Sequence, residues 1–107
     1  MVRHTKRYTQ AATSSAPTAG TYIRFADSAF GLVLVPTSIT QLDWYAAEDA
    51  AGTNAGIVSD NLGEAVQSVS VAAGEWVPIP DAVMGAPYIA VKLTGASTGT
   101  VIFQLKD

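Results

Sequence analysis

The sequence predicts an all-β protein, in its simplest form an antiparallel β-sandwich of about seven short strands in a jelly-roll or immunoglobulin-like arrangement, with a closed β-barrel as the alternative. Three observations carry that prediction. Apolar and polar residues alternate with period two in several segments. Turns containing Gly and Pro separate those segments at short intervals. No apolar pattern of helical period persists for three turns. A sandwich is favoured over a barrel because the loop after Trp44 and Tyr45 and the turn at Pro80 have the character of crossings between sheets.

Taken in order, residues 21–26 alternate and are rich in aromatic and β-branched types, which predicts a strand. Residues 30–35 form a short apolar run closed by Pro36, the pattern of a strand buried on both faces. Residues 40–46 place Leu42, Trp44 and Ala46 on one face, assigned to the core, and Gln41, Asp43 and Tyr45 on the other. Residues 48–56 read as a loop, residues 57–59 as a short strand, and residues 60–63 as a tight turn with Gly63 available for a positive φ. A strand follows over residues 66–71, with Val69 and Val71 on one face. Residues 75–80 carry Pro78 and Pro80, which cannot donate ladder hydrogen bonds, so this segment is an edge strand or an extended crossing. Pro80 and Gly85 bracket one helical turn. Residues 88–94 and 100–106 alternate cleanly, with Ile89, Val91 and Leu93 on one face and Val101, Phe103 and Leu105 on another. Joined by a Gly-rich link, they read as a hairpin.

The 107 residues suit a single domain, and a 49% hydrophobic, 14% charged composition is opposite to that of a disordered chain. A surface so poor in charge suits a protein that assembles. With no cysteine there is no disulfide, no thiolate metal site and no cysteine nucleophile. The one histidine, His4, excludes a multi-histidine metal site and leaves a serine triad only a terminal base. The longest apolar run, residues 29–35, is far short of the ~18 residues of a membrane helix. No apolar segment follows the basic start, so no secretion signal is legible.

Charge divides the chain. Residues 1–24 carry +4 and residues 25–107 carry −7, which together give the net −3. Residues 1–20 read as an extended basic and polar N-terminal arm, and residues 21–107 as the β-sandwich domain. Fully extended, such an arm reaches roughly 60 Å, enough to contact a neighbour. Its candidate partner-contacting residues are Arg3, His4, Lys6, Arg7 and Tyr8. Deleting residues 2–19 is expected to remove that contact and leave the domain folded.

Little in the sequence points to catalysis. Glu48, Asp49, Asp60 and Glu64 flank one loop region but lack the regular spacing of a calcium loop. There is no phosphate-binding Gly loop and no nucleophile elbow. Four cations with one aromatic, on an otherwise acidic chain, argue against nucleic acid and fit docking on an acidic protein surface equally well. Tyr45, Trp76 and Tyr88 are candidate interface aromatics, which a glycan-binding module would also use, whereas Trp44 shares a face with Leu42 and belongs to the core. No enzyme, no cofactor and no metal site is expected.

The succession of residues 42–47, a Gly/Thr loop, residues 69–74, residues 79–89 and the closing residues 99–106 resembles small β-sandwich virion proteins of tailed bacteriophages, those that decorate or cement a capsid or build head accessories. The resemblance covers roughly residues 38–106. It implies a non-enzymatic role on the capsid surface of the virion: binding the major capsid protein, commonly as a homotrimer, and stabilising the head against internal pressure. The alternative within the resemblance is another virion component, such as a head fibre, neck or tail accessory protein. It transfers no site residues.

Overall fold

The computed structural model describes residues 5–59 and 62–106. Nine strands are assigned there: β1 (Thr5–Thr13), β2 (Ile23–Arg24), β3 (Phe30–Val35), β4 (Ile39–Ala47), β5 (Gly56–Ile57), β6 (Gln67–Val71), β7 (Glu75–Pro78), β8 (Tyr88–Thr94) and β9 (Thr98–Lys106). They form two antiparallel sheets packed face to face and not closed into a barrel. The first has the order β1-β9-β3-β7, and the second β2-β8-β4-β5, with β6 also paired to β4. Apart from the β4–β5–β6 stretch, each step along the chain changes sheet. That connectivity is a jelly roll, not the immunoglobulin-like alternative.

The alternation in the sequence places the core. Val33 and Val35 of β3, Leu42 and Trp44 of β4, Val91 and Leu93 of β8, and Val101, Phe103 and Leu105 of β9 are buried between the sheets. Trp44 meets Phe103 edge to face with ring centroids 6.4 Å apart. Pro80 opens a single 3-10 turn at Asp81–Val83 that plugs Val83 into the core, as the proline and glycine punctuation implies.

Three expectations are corrected. Residues 88–94 and 100–106 are not a hairpin: β8 pairs with β2 and β4, and β9 with β1 and β3. Both strands turn their apolar faces inward, so they sit opposite one another across the core, and the link between them crosses from sheet to sheet. Gly95 makes that crossing with φ of 100°, where a Cβ would stand 2.9 Å from the Thr40 nitrogen. Next, β3 is buried on one face only, because Phe30 and Leu32 are exposed while Gly31, Val33 and Val35 are buried. Of residues 21–26, only Ile23 and Arg24 are strand, although Tyr22, Ile23 and Phe25 are buried.

The largest correction concerns the arm. Residues 5–13 are β1, paired to β9 without interruption from Thr5 opposite Lys106 to Thr13 opposite Thr98. The boundary at residue 20 therefore does not separate an arm from a domain. Within β1, Tyr8, Gln10 and Ala12 face inward, a polar and small set that carries too little hydrophobicity to announce a strand. Gln10 is 3% exposed and engages both ends of its amide: Nε2 donates to the Val91 carbonyl at 2.9 Å, and Oε1 accepts from the Val91 N–H at 2.9 Å. β2 pairs only with Ile89 and Tyr88 of β8, so Val91 lies beyond the end of that ladder. The Gln10 side chain takes the place of the missing strand.

Replacing that amide leaves two buried backbone groups unpaired, at about 1–3 kcal/mol each. Gln10→Leu is therefore expected to lower unfolding stability by about 2–6 kcal/mol in urea titration. A chain lacking residues 1–13 is expected to lose cooperative unfolding, in contrast to the folded domain the sequence implied for a deletion of residues 2–19.

Candidate functional site

Strand alternation gives each sheet an outer face, and the two differ in chemistry. On the first sheet, β3 turns Phe30, Leu32 and Leu34 outward, β9 turns Ile102, Gln104 and Lys106, and β1 turns Thr5, Arg7, Thr9 and Ala11. Register joins them: Leu34 is opposite both Ile102 and Trp76, and Leu32 is opposite both Gln104 and Pro78. The result is one apolar patch across three strands. Phe30, Leu32 and Trp76 are exposed by 42%, 44% and 46%. Arg7 and Lys106 stand at one end of the same face, and none of its described strand residues is acidic.

The outer face of the second sheet carries tyrosines. Tyr45 is opposite Ala90 and Tyr88 opposite Ala47, and together with the buried Tyr22 they cover a floor formed by those two alanines. Burial pushes the Tyr22 phenol above its ordinary value, and neighbouring Tyr45 adds to the effect. Beside them, Arg24 pairs with Asp27 at 3.0 Å, and Lys92 lies 3.9 Å from Asp43. These tyrosines shield a small secondary core, with the rings of Tyr45 and Tyr88 half-buried.

Of the aromatics singled out in the sequence, the structure brings Tyr45 and Tyr88 together and puts Trp76 on the opposite sheet, so the three do not share one surface. Of the basic residues, Arg7 is exposed on the first outer face, while Lys6 and Tyr8 share the inward side of β1. Arg3, His4, Asp60 and the Val69 side chain lie outside what is described. Acidic residues of the 48–56 loop are engaged within it. Asp49 accepts from the Thr53 hydroxyl at 2.6 Å and from its N–H at 3.1 Å, which holds its carboxyl below the usual range, and Glu48 accepts from Asn54 at 2.9 Å. The described residues contain no cavity of ligand size and no cluster of three or more potential metal ligands.

Sequence reasoning missed Phe30, Leu32 and Leu34 as surface residues, because a run without polar interruption reads as fully buried. Pro78 of β7 and Pro80 just beyond it mark an edge strand, but an open edge does not report which face is covered, so no local signal identifies this surface.

Comparison of the chain with protein families, characterised proteins and solved structures finds no match.

The Tyr22 shift has a defined sign. A phenol whose folded value is raised contributes stability that is complete below its unfolded value of about 10 and is lost as pH rises through the folded value. Tyr22→Phe is therefore expected to flatten the loss of stability between pH 9 and pH 11 relative to wild type, read from urea midpoints at each pH.

Proposed function

We propose that this protein is a non-enzymatic capsid decoration protein that docks on the major capsid protein at the outside of a phage head. The observation that carries the reading is the exposed outer face of the first sheet. A patch containing Phe30, Leu32, Leu34, Trp76 and Ile102 is a large apolar exposure for a small domain, and patches of this kind mark interaction sites. The four strands span about 15 Å across and the longest about 30 Å along, from standard strand spacings. That footprint, about 450 Å², is roughly half of one side of a standard protein interface.

Charge gives the partner its chemistry. Arg7 and Lys106 stand at one end of the patch, and the carboxylate of its strands, Glu75, falls on the alternate side of β7 from Trp76, so the complementary surface is apolar with acidic residues at one edge. The jelly roll is an architecture used in viral capsids, which agrees with the resemblance by analogy of fold. Docking in this reading uses a rigid sheet face in place of a flexible arm. A flat face loses little conformational entropy on binding.

A fibre, neck or tail role would use the same face but at a different copy number, which quantitative analysis of purified particles separates. Leu32→Ser with Trp76→Ser is expected to abolish co-sedimentation with heads that lack the protein. Because both side chains are about half exposed, the variant's unfolding stability should stay within about 1 kcal/mol of wild type. Binding by the folded variant at wild-type level would contradict the assignment of this face.

A further inference from the structure

The four other edge strands of the sandwich are short or interrupted. β2 and β5 have two residues each; β7 has four and ends in Pro78; β6 has five, with Ser70 at φ of 56°. β1 is different. It runs for nine residues without proline or bulge, and its register with β9 is continuous. Long, regular edges are templates for pairing with another chain, and folded proteins usually blunt them.

The hydrogen-bond directions can be followed along the ladder. The Lys106 carbonyl accepts from Ala29, so Lys106 points its backbone at the β3 side, and so do Gln104 and Ile102. Ser14 donates to Ser97 in continuation of the β1–β9 ladder, so the even-numbered residues of β1 point at β9. The N–H and C=O groups of Thr5, Arg7, Thr9, Ala11 and Thr13 therefore face the open side. Among the described residues nothing pairs with them.

We infer that this edge pairs with β1 of a second copy of the chain, antiparallel about a two-fold axis at Thr9. The occupant follows from self-complementarity. With Thr9 opposite Thr9, Arg7 faces Ala11, Lys6 faces Ala12 and Thr5 faces Thr13, so no like charges are opposed. A register centred on Arg7 would oppose two guanidinium groups. The pairing yields one continuous eight-stranded sheet and sets two copies of the apolar outer face side by side, in place of the trimer that the resemblance implies. It stands independently of the capsid reading, since it concerns the free chain.

Light scattering coupled to size exclusion tests it. Wild type is expected at twice the monomer mass and Thr9→Pro at the monomer mass, since proline there removes an N–H that only the second copy would use. Leu32→Ser with Trp76→Ser is expected to remain dimeric. The chain has no native cysteine, so cross-linking fixes the register even if Thr9→Pro does not fold. Thr9→Cys is expected to form a disulfide dimer under mild oxidation, because facing Cα atoms in such a pair are about 5.5 Å apart. Ala11→Cys, displaced from the axis, is expected to stay reduced. A monomeric or trimeric wild type, a dimeric Thr9→Pro, or equal cross-linking of both cysteine variants would overturn the proposal.

Discussion

The Gln10 amide, held by both backbone groups of Val91, is the contact on which the sandwich depends. A two-sheet protein must satisfy every buried backbone group, and β8 has a partner on its β2 side for two residues only. Beyond them the ladder on that side would end in the core. A side-chain amide presents a donor and an acceptor side by side, as a peptide edge does, so it continues the ladder from the opposite sheet. Because the bond spans 81 positions of sequence, it also ties the first strand to the penultimate one and fixes how the sheets sit.

From that tie follows the placement of everything at the surface. With β1 locked beside β9, the first sheet has four strands and a face wide enough to carry an apolar patch. The inward residues of β3 and β9 are consumed by the core against Trp44 and Leu42, leaving Leu32, Leu34 and Ile102 outside. Apolar residues on both faces of β3 are costly for a soluble surface and useful for a docking one. The second sheet solves its outer face differently, closing tyrosines over two alanines. One face is sealed and the other is open.

Much of this was legible in the sequence. The all-β class, the sandwich, the core positions of Leu42, Trp44, Val91, Phe103 and Leu105, and the helical turn after Pro80 followed from period-two alternation and turn chemistry, which are local properties. What failed was non-local. β1 was read as an arm because its inward residues are Lys6, Tyr8, Gln10 and Ala12, and the partner that makes Gln10 a core residue lies at position 91. β8 and β9 looked like a hairpin because sequence proximity and alternation are the same whether two strands share a sheet or face each other across one. The run at residues 30–35 hid an exposed face, since an uninterrupted apolar pattern cannot distinguish burial by a core from readiness for a partner.

The most direct test of the built-in first strand is residue-resolved hydrogen exchange on the isolated protein. The account predicts that the amides of Tyr8, Gln10, Ala12 and Val91 exchange slowly and together, through unfolding of the whole sandwich. Exchange of residues 6–12 at open-chain rates, with the remaining strands still protected, would contradict it and return this segment to a free arm.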